Sequence, residues 1–89
     1  MAGTSDAALG RLARERIDSG RLPCAPAARM WGGRGTGAAC ALCGRVIKSD
    51  EIEYEVELRT HSAVRTLQFH LACFSVWRRA CDGSNGSPR

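Results

Sequence analysis

Cys40-Ala41-Leu42-Cys43-Gly44 and, with 26 residues between Cys43 and His70, His70-Leu71-Ala72-Cys73 decide how this chain is read. Each stretch carries two metal-competent side chains with two residues between them. Three thiols and one imidazole are donors that suit a tetrahedral zinc ion, at about 2.3 Å for sulfur and about 2.0–2.1 Å for nitrogen. Cys40 and Cys43 are spaced for a tight knuckle with both sulfurs turned inward. Gly44 supplies the left-handed residue that such a turn needs. His70 and Cys73 are three apart and fall on one face of a helix, about one turn apart. The spacing predicts one Zn2+ held by Cys40, Cys43, His70 and Cys73. Two other readings compete: buried reduced thiols and a redox Cys-x-x-Cys. The redox motif opens a helix after a strand, and no apolar strand precedes Cys40. Histidine ligation is a minority pattern for iron–sulfur clusters. Four protein ligands would close the site to water and substrate, so the expected metal is structural.

Outward from the motif, Val46 and Ile47 extend the knuckle as a short strand, and Lys48-Ser49-Asp50 reads as a turn. From Glu51 to Leu58 apolar and acidic residues alternate. Ile52, Tyr54, Val56 and Leu58 are set for one face, and Glu51, Glu53, Glu55 and Glu57 for the other. The glutamates are expected to form a solvated face. Thr60 to Ala63 is the expected hairpin loop. Val64 to Phe69 is the expected return strand, with Leu67 and Phe69 inward and Arg65 placed to meet a glutamate across the strands. From His70 to Cys81 a helix would press Cys73, Phe74, Trp77 and Cys81 onto the hairpin. Arg78 and Arg79 suit the negative end of its dipole.

Upstream, Ser5 is an N-cap for a helix from Asp6 to about Ser19, with Leu9, Leu12, Ala13 and Ile17 on one face. Gly20 and Pro23 end it. This helix either packs on the zinc domain or serves as a free arm. Pro23 and Pro26 argue against a regular element before Cys40, and Met30 and Trp31 are expected to anchor that segment on the domain. The Gly-rich Trp31 to Gly37 run lacks the Gly-Lys-Ser/Thr ending of a phosphate loop. The expected organisation is a helical arm over 1–22, a Pro/Gly-rich linker over 23–39, a zinc finger over 40–82 and a flexible tail over 83–89. The fold class is a small α+β zinc-bound domain with an additional N-terminal helix.

A chain of 89 residues buries a modest core, and a metal would serve as its staple. Lys and Arg total 13 against 9 acidic residues, a net charge of +4. The positive charge is spread along the chain, and the glutamate strand disfavours nucleic acid, which binds to a concentrated basic face. No apolar run resembles a signal peptide or a membrane span, so a reducing, cytoplasmic setting is expected. Cys24, Cys81 and His61 then remain outside the site, with Cys81 read as a core or surface thiol. No Ser/His/Asp set or carboxylate pair marks a catalytic pocket, so no enzyme is expected.

Knuckle, hairpin and a helix whose first turn carries the last ligands is a treble-clef order, and Cys40 to Trp77 resembles two families built on it. Phe69-His70-Leu71-Ala72-Cys73-Phe74 is similar to the second ligand pair in the first finger of LIM domains. A LIM domain begins its second finger with a cysteine at the place of Val76, so a complete LIM domain is excluded. Cys40-x2-Cys43, Ile47, a long hairpin and His70-x2-Cys73-Phe74 resemble the zinc finger of poly(ADP-ribose) polymerases, which implies recognition of DNA breaks. That family carries a basic residue where this chain has Glu53. The whole chain also resembles short bacterial zinc-finger proteins with a Trp-Gly-Gly loop ahead of Cys-x-x-Cys. The resulting expectation is a structural zinc module that binds a protein partner or itself, with a nucleic-acid-binding finger as the alternative.

Overall fold

The computed structural model describes residues 5–59 and 63–84. Residues 1–4, the tip of the expected hairpin loop with His61, and residues 85–89 of the expected tail lie outside these. Helix α1 spans Asp6–Asp18, strands β1, β2 and β3 span Ala27–Arg34, Ile52–Arg59 and Val64–His70, and helix α2 spans Leu71–Ser84. The strands form one antiparallel sheet in the order β1-β2-β3. The described residues thus form a small α+β fold of two helices and three strands.

Helix α1 starts where its cap chemistry dictates. The Ser5 hydroxyl accepts a hydrogen bond from the Ala8 N–H at 3.1 Å, satisfying one orphan donor of the first turn. Leu9 and Ala13 are buried, with Leu12 and Ile17 packed against the core. This stripe docks on α2. The expected apolar face is therefore a packing face.

Helix α2 lies across the sheet. Phe69 and Trp77 are fully buried and stack with centroids 4.8 Å apart, and Tyr54 meets Phe74 edge-on at 5.0 Å. Val56 and Leu58 complete the inward side of β2. Ile52, expected inward with them, is 50% exposed, because at the start of the strand it borders an open cleft beside Leu71 and Cys73. Val46 and Ile47 do not form a strand of their own. Val46 makes a single bridge to Ala39, while Ile47 is buried.

The segment expected as a linker contains β1. Its antiparallel register runs from Met30 opposite Val56 to Arg34 opposite Ile52. Pro23 and Pro26 precede the strand, so they cost it no ladder hydrogen bond. Two close approaches explain the glycines. At Gly32 a Cβ would lie 2.9 Å from the Tyr54 ring, and at Gly35 it would overlap the Lys48 carbonyl oxygen. Gly35 N–H donates to Glu51 O at 2.9 Å and Gly37 N–H to Ile47 O at 3.0 Å. These bonds carry the chain from β1 into the knuckle.

Three contacts tie the start of this segment to the end of α2. Trp77 Nε1 donates to Pro23 O at 3.0 Å, Arg78 donates to Ala25 O at 3.3 Å, and Cys24 is disulfide-bonded to Cys81. Cys81 is accordingly half of a cross-link rather than a free thiol. A reducing compartment does not preserve such a bond.

The glutamate stripe is also not a uniformly solvated face. Glu53 is 6% exposed, and its carboxylate accepts both the Thr36 N–H and the Thr36 hydroxyl at 2.9 Å. Glu57 faces Arg29 at 3.9 Å. Arg65 stands opposite Leu58, so the register denies it the cross-strand glutamate. The reason is the added strand: β1 lies alongside the acidic face and supplies Arg29, Trp31 and the approach to Thr36.

Candidate metal centre

The knuckle is shaped by short-range hydrogen bonds. Cys40 N–H donates to Arg45 O and Gly44 N–H to Cys40 O, both at 2.9 Å. Gly44 has φ of 81°, which a side chain would resist. Ala41 N–H donates to Gln68 O at 2.7 Å, pinning the knuckle to β3. His70 is the last residue of β3 rather than the first of a helix, and Cys73 lies in the first turn of α2. The strand-to-helix corner aims both side chains at the knuckle.

The donor atoms of Cys40, Cys43, His70 and Cys73 all lie within 4.8 Å of one another. His70 Nδ1 is 3.4 Å from Cys43 Sγ and 3.9 Å from Cys73 Sγ. A tetrahedral zinc with ordinary bond lengths sets sulfur and nitrogen about 3.6 Å apart. The four residues are therefore positioned to hold one metal ion, with Nδ1 as the imidazole donor.

The other ring nitrogen is oriented as well. His70 Nε2 lies 3.3 Å from Val46 O and 3.3 Å from Glu51 Oε1. Such a partner fixes the tautomer that leaves Nδ1 free for metal. Glu51 is itself held by the Lys48 N–H at 2.8 Å. That bond, with His70 contributing less, keeps its carboxyl below the usual range. Sequence spacing gives Glu51 only as one member of an alternating stripe. Its carboxylate reaches His70 because the chain turns at Lys48 and then runs antiparallel to β3.

Electrostatics favour a cation at the centre. Hydrogen bonding from Cys73 holds the Cys40 thiol down to about 4, against burial. Cys73 is pushed well up, chiefly because losing its proton would forfeit that bond to Cys40. Burial raises Cys43. Without metal, the cluster supports one thiolate. A divalent cation compensates the additional negative charge when the other two ionise.

A cleft of about 410 Å³ opens beside the cluster, lined by Cys43, His70 and Cys73 together with Leu9, Ile52 and Leu71. No helix among the described residues is long and apolar enough to cross a membrane.

Comparison with protein-family models, curated proteins and solved structures finds no match. Neither the LIM-like nor the poly(ADP-ribose) polymerase-like resemblance is confirmed by a relative or by a fold neighbour.

Proposed function

We propose that this chain is a zinc-stapled protein-interaction module of treble-clef type, in which the metal is structural and no reaction is catalysed. The observation that carries this reading is the convergence of one imidazole and three thiols from a knuckle and a strand-to-helix corner. Four protein donors of this softness complete a tetrahedral zinc shell and leave no position for water or substrate. The same order of knuckle, hairpin and helix supports the treble-clef assignment. The module would present its sheet to a protein partner, since β1 is exposed along its whole length.

Metal analysis of the purified chain tests the centre. One zinc per chain is expected, lost in Cys40→Ser and in Cys73→Ser. A folded, metal-free protein with unchanged spectra would sink the zinc reading. Affinity capture with and without charge reversal at Glu55 and Glu57 tests the interaction. Capture of the same proteins by a metal-stripped, unfolded chain would count against a structured interface.

The nucleic-acid alternative retains one specific observation. The Glu53 carboxylate is turned toward Thr36, so its charge is not presented as the sequence comparison suggests. Glu55 and Glu57 still share the strand, and Arg29 is engaged with Glu57. Salt-dependent retardation of duplex, nicked or single-stranded DNA would favour this alternative. A cytoplasmic setting further requires Cys24 and Cys81 to be thiols in the cell, which alkylation of freshly lysed cells would read directly.

A further inference from the structure

Strand β1 is covered on only one edge. It pairs with β2, and among the described residues no strand lies on its other side. All eight of its residues are exposed, with Met30 at 49% and Trp31 at 46% near its centre. An open edge with a large apolar pair at its middle is a template for another strand. Natural edges are usually blunted by lysine, proline or inward-pointing charge. Here the eight residues contain neither lysine nor proline, Arg29 is turned to Glu57, and the one irregularity of the ladder, between Ala27 and Arg29, lies at the start of the strand and leaves Met30 to Arg34 regular.

The sequence of β1 selects the occupant. In an antiparallel pairing of two identical strands, residues of the same face must stand opposite each other. With Trp31 on a two-fold axis, Met30 falls opposite Gly32 and Arg29 opposite Gly33, and Arg34 reaches the irregular stretch at Ala28. The two Trp31 rings then meet as an aromatic cross-strand pair, every other bulky side chain meets a small one, and no two arginines are directly opposed. The Tyr54 ring beside Gly32 would receive the partner's Met30, a favourable sulfur–aromatic contact. Placing Met30 on the axis instead sets Ala28 against Gly32 and Ala27 against Gly33. That register opposes Arg29 to Trp31 beside the axis but pairs small with small toward both ends, leaving the edge less well filled.

We propose that the open edge of β1 pairs antiparallel with β1 of a second copy of this chain, with Trp31 at the two-fold axis, joining two three-stranded sheets into one of six. This rests on the interaction reading above and names its partner. It does not depend on which metal fills the centre. The two copies then place their α2 helices on the same side of the joined sheet, because an axis perpendicular to the sheet preserves its faces.

Sedimentation equilibrium of the full metal-loaded chain, from low micromolar to hundreds of micromolar, provides the test. A monomer–dimer equilibrium is expected. Tryptophan emission should shift to the blue as concentration rises, because Trp31 is exposed in the monomer while Trp77 is already buried. Trp31→Arg and Met30→Arg should each weaken the dimer by roughly ten-fold or more, with circular dichroism unchanged. Val64→Arg, on the strand at the far side of the sheet, should leave association as it was. A chain that stays monomeric throughout, or a dimer indifferent to both β1 substitutions, overturns the pairing. A monomer that still captures a protein partner overturns the second-copy assignment alone and leaves the interaction reading standing. A dimer sensitive to Trp31→Arg but containing no zinc supports the pairing and removes the zinc reading instead.

Discussion

The two ends of α2 are held by different chemistry. At its beginning, His70 and Cys73 converge with Cys40 and Cys43 on one point. At its end, Cys81 is bonded to Cys24 while Trp77 and Arg78 grip the carbonyls of Pro23 and Ala25. Both attachments compensate for a small core. The first brings together four donors from three places, which a cation would tie together by compensating the charge of the thiolates. The second is a single covalent link that acts mainly by restricting the unfolded chain. The difference teaches that one helix can be anchored by a ligand-dependent clasp and a ligand-independent one, each responding to its own perturbation.

Loss of the metal should break the comparison most severely. Structural zinc sites contribute about 10–16 kcal/mol of apparent binding energy, which is largely folding energy. Exhaustive chelation, or Cys73→Ser, should abolish cooperative thermal unfolding followed by circular dichroism. If the chain melts as before, the clasp at the start of α2 is dispensable and the two ends have been ranked in the wrong order.

Opening the disulfide should come next. Its partners are 57 residues apart, and a loop of that size corresponds to about 4 kcal/mol in the chain-entropy description. Cys24→Ser with Cys81→Ser should lower the denaturation midpoint by that amount while zinc stoichiometry stays at one. A double variant that also loses its metal would show that the two ends are coupled through α2.

The pH dependence of metal affinity sharpens the contrast. At neutral pH Cys40 is already a thiolate, whereas Cys43 and Cys73, both raised, keep their protons. Zinc must displace two protons, so affinity should rise with pH by about a hundred-fold per unit near neutrality. Proton release in weakly buffered titrations measures the number directly, and release of a single proton would contradict the cluster's electrostatics. The disulfide end should show no such dependence.

Smaller effects separate the supporting residues. Glu51→Ala removes the carboxylate facing His70 Nε2 and should weaken zinc binding about ten-fold with the fold retained. A chelator competition assay reads this. Arg78→Gln deletes a 3.3 Å hydrogen bond and a cation–π contact of 5.2 Å to Trp77. It should cost about 0.5–1 kcal/mol in urea denaturation and leave metal affinity unchanged.

Local patterns announced the elements built from local contacts. Ser5 and the Leu9, Ala13 stripe announced α1, the alternation from Ile52 to Leu58 announced β2, and the paired x2 spacings announced the four donors. Where those rules failed, a distant segment had intervened. Ala27 to Arg34 carries two glycines and no alternation, so neither propensity nor period marks a strand. It becomes one because β2 offers a ladder and Tyr54 fills the space above Gly32. Glu53 reads as a surface acid until Thr36 is brought beside it.

What the amino-acid order determined by itself was therefore the donor set, the hairpin and both helices. Their signals lie in spacings of two to four residues, where the backbone's own geometry dictates which side chains converge. Tertiary structure alone decided that β1 joins the sheet, that Glu51 orients His70 and that Cys24 meets Cys81. Those outcomes depend on the chain's return path across α2, and contacts between segments far apart in sequence leave no periodic trace in either one.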